Sequence, residues 1–239
     1  MNSESTRGVA VAAATDVGRV RRRNEDHALV ATTVLSGDHA EHTATIEPPA
    51  VVAVMDGLGG HPAGDVASGI VAEVLAAADL PVESDDIDDL VATMQERLSQ
   101  HMRGDPETVA MGTTLAAASL LDAASALVIG IGDSVALWWD GELHLAVPLD
   151  RSPGGWITQT LGGGLVDDPL EPHLAEVTGP GRLLLASDGL TDLVHVDAIA
   201  DALRDHDAPA DVVDHLVADA LDRGGHDNIT IVVAELLAP

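Results

Sequence analysis

Four aspartates stand where the chain is expected to turn: Asp26 in Asn24-Glu25-Asp26, Asp56 in Asp56-Gly57, Asp188 in Ser187-Asp188-Gly189 and Asp227 in Asp227-Asn228. All but the first adjoin a run of small and β-branched apolar residues, so each falls at the end of an expected buried strand. Carboxylates at strand ends can converge on one point from distant parts of a sequence. As hard oxygen donors they select Mg²⁺ or Mn²⁺ over softer metals, and the chemistry they offer is that of a shared divalent-metal site. Asp-Gly also favours tight turns on propensity alone, and Asp140-Gly141 is assigned only that role.

Arg19, Arg21, Arg22 and Arg23 place four of the 11 basic residues within five positions. In a chain of net charge −29 this is the only local attraction for an anion. Arg21 suits a phosphate clamp, because a guanidinium is always charged and offers two parallel donors to phosphate oxygens. Arg22 and Arg23 read equally as solvated charges on a turn. His61 has two readings as well: a general acid that protonates a leaving alkoxide, or a glycine-turn histidine with structural hydrogen bonds.

Missing residue types narrow the chemistry. The chain has no lysine, which excludes a Walker A loop, a kinase-type lysine and a Schiff-base lysine. It has no cysteine, so a thiolate nucleophile, a cysteine-ligated zinc and a disulfide framework are excluded too. The acidity, with Trp138, Trp139 and Trp156 as the only aromatics, argues against nucleic-acid binding. The most apolar stretch, residues 115–132, is interrupted by Asp122 and reads as two strands rather than a membrane span. The apolar run at residues 9–14 makes a poor signal peptide, so a cytoplasmic protein is expected.

The elements that must position these residues follow from periodicity and turn chemistry. At 239 residues and 46% apolar content, with no long linker, a single domain is expected over 1–239. Residues 9–14, 27–34 and 50–55 read as strands, the last a continuous apolar run suited to full burial. Pro62 opens a helix running to about 78, and a second runs from Ser84, with its acidic first turn, to about 104. Residues 112–121, 126–131, 135–139 and 143–147 resemble a β-meander, with turns at 122–123, 132–133 and 140–141. A buried strand at 182–186, helices at 197–203 and 211–221 and a strand at 229–236 follow. Strands separated by paired helices, without strict βαβ alternation, favour an α+β layered sandwich.

Seven segments, taken in order, resemble the metal-dependent protein phosphatase 2C family in its bacterial Ser/Thr form. They are Asp16-Val17-Gly18, Val20-Arg21 with Asn24-Glu25-Asp26, residues 54–61, Met111-Gly112-Thr113-Thr114, Gly132-Asp133-Ser134, residues 186–192 and residues 224–230. The resemblance implies a four-layer αββα sandwich whose two antiparallel sheets hold two Mn²⁺ or Mg²⁺ ions at one end. By position it makes Asp56, Asp188 and Asp227 direct ligands, gives the Gly57 carbonyl to one ion, and has Asp26 hold metal-bound water. It matches Asp133 to an additional, weaker ion and Arg21 to the phosphate-binding arginine. It also implies phosphoserine and phosphothreonine protein substrates, attacked by a hydroxide bridging the two ions, and a Ser/Thr kinase whose action is opposed.

The chain departs from the family in three places. Leu58 stands where eukaryotic members carry histidine, so His61 is displaced from that position, and Val135 replaces an arginine. Residues 148–178 form a shortened flap in which no Thr-x-Asp-His-Ser stretch is found. Two other readings therefore stay open: a pseudophosphatase that binds a phosphoprotein without turnover, and a phosphatase acting on anti-anti-sigma factors.

Overall fold

In the computed structural model, which describes residues 8–59, 63–163 and 169–239, the apolar runs become the strands of two six-stranded sheets. The chain begins with β1 (Val9–Asp16), β2 (His27–Val30), β3 (Thr33–Leu35), β4 (His39–Ile46), β5 (Ala50–Met55) and the short β6 (Gly57–Leu58). Helices α1 (Ala63–Ala76) and α2 (Ile87–Gly104) follow. Next come β7 (Gly112–Thr113), β8 (Leu115–Asp122), β9 (Ser125–Ile131), β10 (Val135–Trp139), β11 (Leu143–Leu145) and β12 (Leu161–Gly162). β13 (His173–Thr178), β14 (Gly181–Ala186), α3 (Asp188–Thr191), α4 (Val196–Asp205), α5 (Pro209–Asp222) and β15 (Ile229–Leu236) complete the order.

One sheet runs β11-β10-β14-β15-β1-β4 and the other β13-β9-β8-β5-β2-β3, with β12-β7-β6 as a small third ladder. Alternation of side chains along each strand then builds the layers. On β1, Val9, Val11 and Ala13 join Val52, Val54, Leu183 and Val232 between the sheets. Ala12 and Ala14 instead join Val213, Leu216 and Ala220 of α5 on the outer face. On the opposite side, α2 buries Ile87, Val91, Met94, Leu98 and Met102, a stripe of three- and four-residue spacing, alongside α1. Helix, sheet, sheet, helix is the expected αββα sandwich. With Trp138 its only aromatic member, the layer between the sheets is stabilised by many increments of roughly 1.5–3 kcal/mol per buried Val, Leu or Ile.

Three expectations need correction, the first being the single strand read over 27–34, which turns at Ala31 with φ at 54° into the β2–β3 hairpin. The four strands read as one meander divide between the sheets, β8 with β9 in one and β10 with β11 in the other. Gly132-Asp133-Ser134 is therefore a crossing from sheet to sheet rather than a hairpin turn, and Gly132 makes it with φ at 95°. Strands buried on both faces read as uniform apolar runs, so periodicity did not say which sheet each one joins. β4 was not expected at all. Its sequence is polar and half-exposed, and it forms because all eight residues pair with β1 at an open edge, where His39 and Glu41 deter further pairing.

Register brings the motif-bearing strand ends together. His27 pairs with Met55, and Leu115 pairs with Ile131, which aligns the ends of β2, β5, β8 and β9. In the other sheet Val135 pairs with Ala186, and Ala186 with Ile231. The crossing at 132–134 joins these two sets of ends.

Gly189, in the first turn of α3, is pressed against β15: a Cβ there would lie 1.9 Å from the carbonyl oxygen of Asn228. We expect Gly189→Ala to cost about 2 kcal/mol and to lower the thermal midpoint by about 4–8 °C. Calorimetric melting of the two proteins checks this, and an unchanged midpoint would contradict the close packing.

Candidate metal centre

Five aspartates occupy the aligned strand ends. Asp26 directly precedes β2, Asp56 directly follows β5, Asp133 lies in the β9–β10 crossing, Asp188 opens α3 after β14, and Asp227 lies just before β15.

Each is held through its backbone by neighbours from the same motifs. The Asp56 amide donates to Thr114 Oγ1 at 3.0 Å, and the Asp56 carbonyl accepts from Thr113 Oγ1 and the Thr114 amide, each at 2.9 Å. Thr114 Oγ1 also meets Ser134 Oγ at 2.7 Å, which ties the Asp56 turn to the residue after Asp133. Gly57 has no room for a side chain, since a Cβ would lie 2.3 Å from the Gly64 carbonyl oxygen and 2.4 Å from that of Glu25. Only its backbone can serve the site. Ser187 and Thr230 exchange bonds, the Ser187 amide to the Thr230 carbonyl and the Thr230 amide to Ser187 Oγ, both at 3.0 Å. That pair fixes the approach to Asp188.

Asn228 was missed as a site residue. Buried beside Asp227, it donates through Nδ2 to the carbonyls of Val17 and Arg23, both at 3.0 Å, and accepts from the Glu25 amide at 2.9 Å. One amide side chain thereby fastens the arginine-rich loop and Asp26 to the start of β15. Asn24 assists, donating to Thr15 Oγ1 and the Gly37 carbonyl while accepting from the Asp26 amide. The signal was available: an asparagine next to each of Asp26's and Asp227's turns is the residue type that closes such loops through its own side chain.

The carboxylates are desolvated and repel one another. Burial, reinforced by the charges of Asp26, Asp188, Asp227 and Asp133, holds Asp56 well above the ordinary carboxylate range. Burial likewise pushes Asp26 up to about 7, with Asp227 and Asp188 adding to it while the hydroxyls of Thr230 and Ser187 pull the other way. Those hydroxyls fall short of hydrogen-bond geometry, for neither Asp26 oxygen has a partner among the described residues. Asp188 is raised to about 6 by burial and by Asp133, Asp192 and Asp227, against the opposing charge of Arg151.

Two arginines supply the nearby positive charge. Arg21 donates through Nη2 to Asp227 Oδ2 at 2.5 Å, with half of its side chain exposed. Arg151, which sequence reasoning passed over, donates through Nε to Asp133 Oδ2 at 2.7 Å and through Nη2 to Asp188 Oδ2 at 3.3 Å. Its stretch corrects another reading. Asp150-Arg151-Ser152 keeps the aspartate and serine of the Thr-x-Asp-His-Ser pattern, with Arg151 in place of its histidine and Pro148 in place of its threonine. Asp150 is buried and accepts from the Gly132 amide at 2.8 Å, from Gln159 at 2.8 Å and from His173 at 3.0 Å. His61 lies outside the described residues.

Among the described residues, no three acidic or histidine side chains stand in a ready-made ligand set for an ion. The donor chemistry nevertheless fits divalent cations. Hard carboxylate oxygens interact across the strand ends, and Asp26 Oδ1, Asp26 Oδ2 and Asp133 Oδ1 are buried without a partner, a costly state that cations relieve.

Comparison with known proteins shows the family. The family model described as protein phosphatase 2C matches residues 34–226. The chain belongs to the protein phosphatase 2C family. Within that family it is 32% identical to the Serine/threonine protein phosphatase PstP of Mycobacterium tuberculosis over 95% of its own length and 45% of PstP. The chain thus spans less than half of that relative. Protein phosphatase PhpP of Streptococcus pneumoniae is 27% identical, with 93% of this chain and 95% of PhpP covered. The crystal structure of M. tuberculosis PstP superposes with a TM-score of 0.77 at 30% identity, covering 95% of this chain and 99% of that one. A PstP catalytic domain in complex with two manganese ions gives 0.78 at 30% identity, covering 96% and 99%. No helix among the described residues of this phosphatase 2C chain is long and apolar enough to cross a membrane.

The raised carboxylates give the metal-free phosphatase 2C chain a signed pH dependence. Asp26, Asp56 and Asp188 bind protons more tightly folded than unfolded, so their contribution to stability is present below the unfolded value near about 4; for Asp26 and Asp188 it is lost as pH rises through about 6–7. After treatment with chelator, the thermal midpoint should be higher at pH 5.5 than at pH 7.5 by several degrees. Millimolar Mn²⁺ should erase most of that difference, and Asp26→Asn should shrink it. A metal-free midpoint indifferent to pH over this interval would contradict the assignment.

Proposed function

We propose that this chain is a divalent-metal-dependent phosphatase of the cytoplasm that hydrolyses phosphoserine and phosphothreonine in proteins and opposes a bacterial Ser/Thr kinase. The observation that carries the reading is the set of buried, mutually repelling carboxylates with unpartnered oxygens, edged by an arginine that still has donors to spare. Its relatives PstP, PhpP and Stp are named as phosphatases, and a PstP structure holds two manganese ions.

Asp56, Asp188 and Asp227 are the side chains that would hold two ions, Mn²⁺ or Mg²⁺, with the Gly57 carbonyl as a further oxygen donor. When bound, such a pair supplies Lewis acidity and lowers the pKa of water, so no side-chain nucleophile is required. The chain's own residues then bind and orient. Arg21 spends one N–H on Asp227 and keeps others for phosphate oxygens, in a half-exposed position that a protein substrate can reach. Asp26, with both oxygens buried and unpartnered among the described residues, is free to accept hydrogen bonds from water in the site. The loop carrying Arg21 is anchored by Asn228, so phosphate is presented at a fixed place relative to Asp227.

With Mn²⁺, the protein should hydrolyse p-nitrophenyl phosphate and a phosphothreonine peptide. Asp56→Asn and Asp188→Asn should each lower kcat/KM by about 100-fold or more, because even residues that only orient metal ligands cost 10–100-fold. Arg21→Ala should cost about 100-fold through a lost phosphate contact. Steady-state kinetics on purified variants decides the matter. Undiminished turnover in either carboxylate variant sinks the catalytic assignment, and Mn²⁺ binding without hydrolysis of any phosphopeptide would identify a phosphoprotein-binding module instead.

A further inference from the structure

Arg151 is placed too deliberately to be a passing surface charge. Its three guanidinium nitrogens address three carboxylates, one in the sheet crossing and two at the ends of α3: Nε to Asp133 at 2.7 Å, Nη2 to Asp188 at 3.3 Å and Nη1 to Asp192 at 3.7 Å. Asp133 is 3% exposed, and the Arg151 side chain itself only 33%.

The backbone around Arg151 is equally tied down. Asp150 and Gly132 exchange bonds: the Gly132 amide donates to Asp150 Oδ2, and the Asp150 amide donates to the Gly132 carbonyl, both at 2.8 Å. The Thr158 amide donates to the Asp150 carbonyl at 2.7 Å, and Arg151 itself bridges to Ile157. The residue before Arg151 is thus fastened to the residue before Asp133. The approach of the two side chains is set by main-chain geometry on both sides.

We propose that the Arg151 guanidinium is a built-in cation that occupies the Asp133–Asp188–Asp192 position and excludes a third metal ion from it, leaving a two-ion centre. The inference rests on the two-ion reading of Asp56, Asp188 and Asp227. A third ion would need oxygens of Asp133 and its neighbours, and a guanidinium already bonded to Asp133 and Asp188 both takes donor lone pairs and repels a second cation. Arg151 holds Asp133 Oδ2 while Asp133 Oδ1 is buried with no partner, so the guanidinium is the countercharge that this carboxylate has among the described residues. Removing the guanidinium frees Asp133 completely.

Titration of the chelator-stripped full chain with Mn²⁺, by calorimetry and by electron paramagnetic resonance of the free ion, tests the proposal. The wild type should take up about two ions per chain, and Arg151→Ala about three, the added one weaker. Arg151→Lys, which keeps a cation there, should remain near two, and Arg151→Ala combined with Asp133→Asn should lose the third ion again. Far-UV circular dichroism confirms that each variant is folded. Three ions in the wild type, or two in a folded Arg151→Ala protein, overturn the role of Arg151 while leaving the two-ion centre standing. A wild type that binds no Mn²⁺ overturns both.

Discussion

Carboxylates drawn out of water at the meeting of two sheets repel one another, and the strand ends of this protein gather five of them. Burial is the largest cause of the raised proton affinity of Asp26, Asp56 and Asp188, and their mutual charges come next. Such an arrangement is tolerable only when countercharge is at hand, because an uncompensated buried carboxylate costs far more than a surface ion pair returns. The protein's resident countercharge is modest: Arg21 on Asp227, and Arg151 on Asp133 and Asp188. Protons supply the rest in the metal-free chain, and divalent ions are the natural substitute for them.

Repulsion of this size would splay the strand ends unless something else held them. The holding is done by uncharged groups. Asn228 bonds to three backbone positions in the 17–25 loop, Thr113 and Thr114 grip both backbone groups of Asp56, and Ser187 and Thr230 lock β14 to β15. Each buried bond adds only about 1 kcal/mol net, but leaving its donor or acceptor unsatisfied costs more, so the network resists relaxation as a unit. The Met111–Thr114 and Gly132–Ser134 motifs thus serve largely to position Asp56 and Asp133 through Thr114 and Ser134.

Legibility in the sequence followed burial. Strands with uniform apolar character, such as β5 and β15, and the start of α2 with its acidic first turn were readable because local composition decides them, whereas α5 begins at Pro209, two residues before the start read at 211. β4 was not, since its pairing with β1 stabilises a polar segment that has no strand-like composition of its own. The crossing at Gly132 was misread as a hairpin for a related reason: with both strand faces buried, nothing local distinguishes one sheet from the other. Among the candidate site residues, Asp26, Asp56, Asp188 and Asp227 were singled out from their turns and Asp133 only through the family resemblance, whereas Arg151 was not singled out, because its surroundings arise from three carboxylates brought to it by folding.

The two arginines differ in a way that bears on the chemistry. Arg21 has a single ion-pair partner, sits on a loop and has half its side chain in solvent, so its guanidinium can turn toward an incoming anion at little cost. Arg151 faces three acidic partners and is anchored through Asp150 to the sheet crossing, so moving it would strand the buried Asp133 without countercharge. Coulomb attraction in a partly desolvated setting strengthens with every added partner, and the rotamer entropy of a long side chain has already been lost. One arginine is therefore suited to exchanging partners during a reaction and the other to holding the acidic framework still. Exchanging the two duties would require rebuilding the backbone around residue 132, not merely moving a charge.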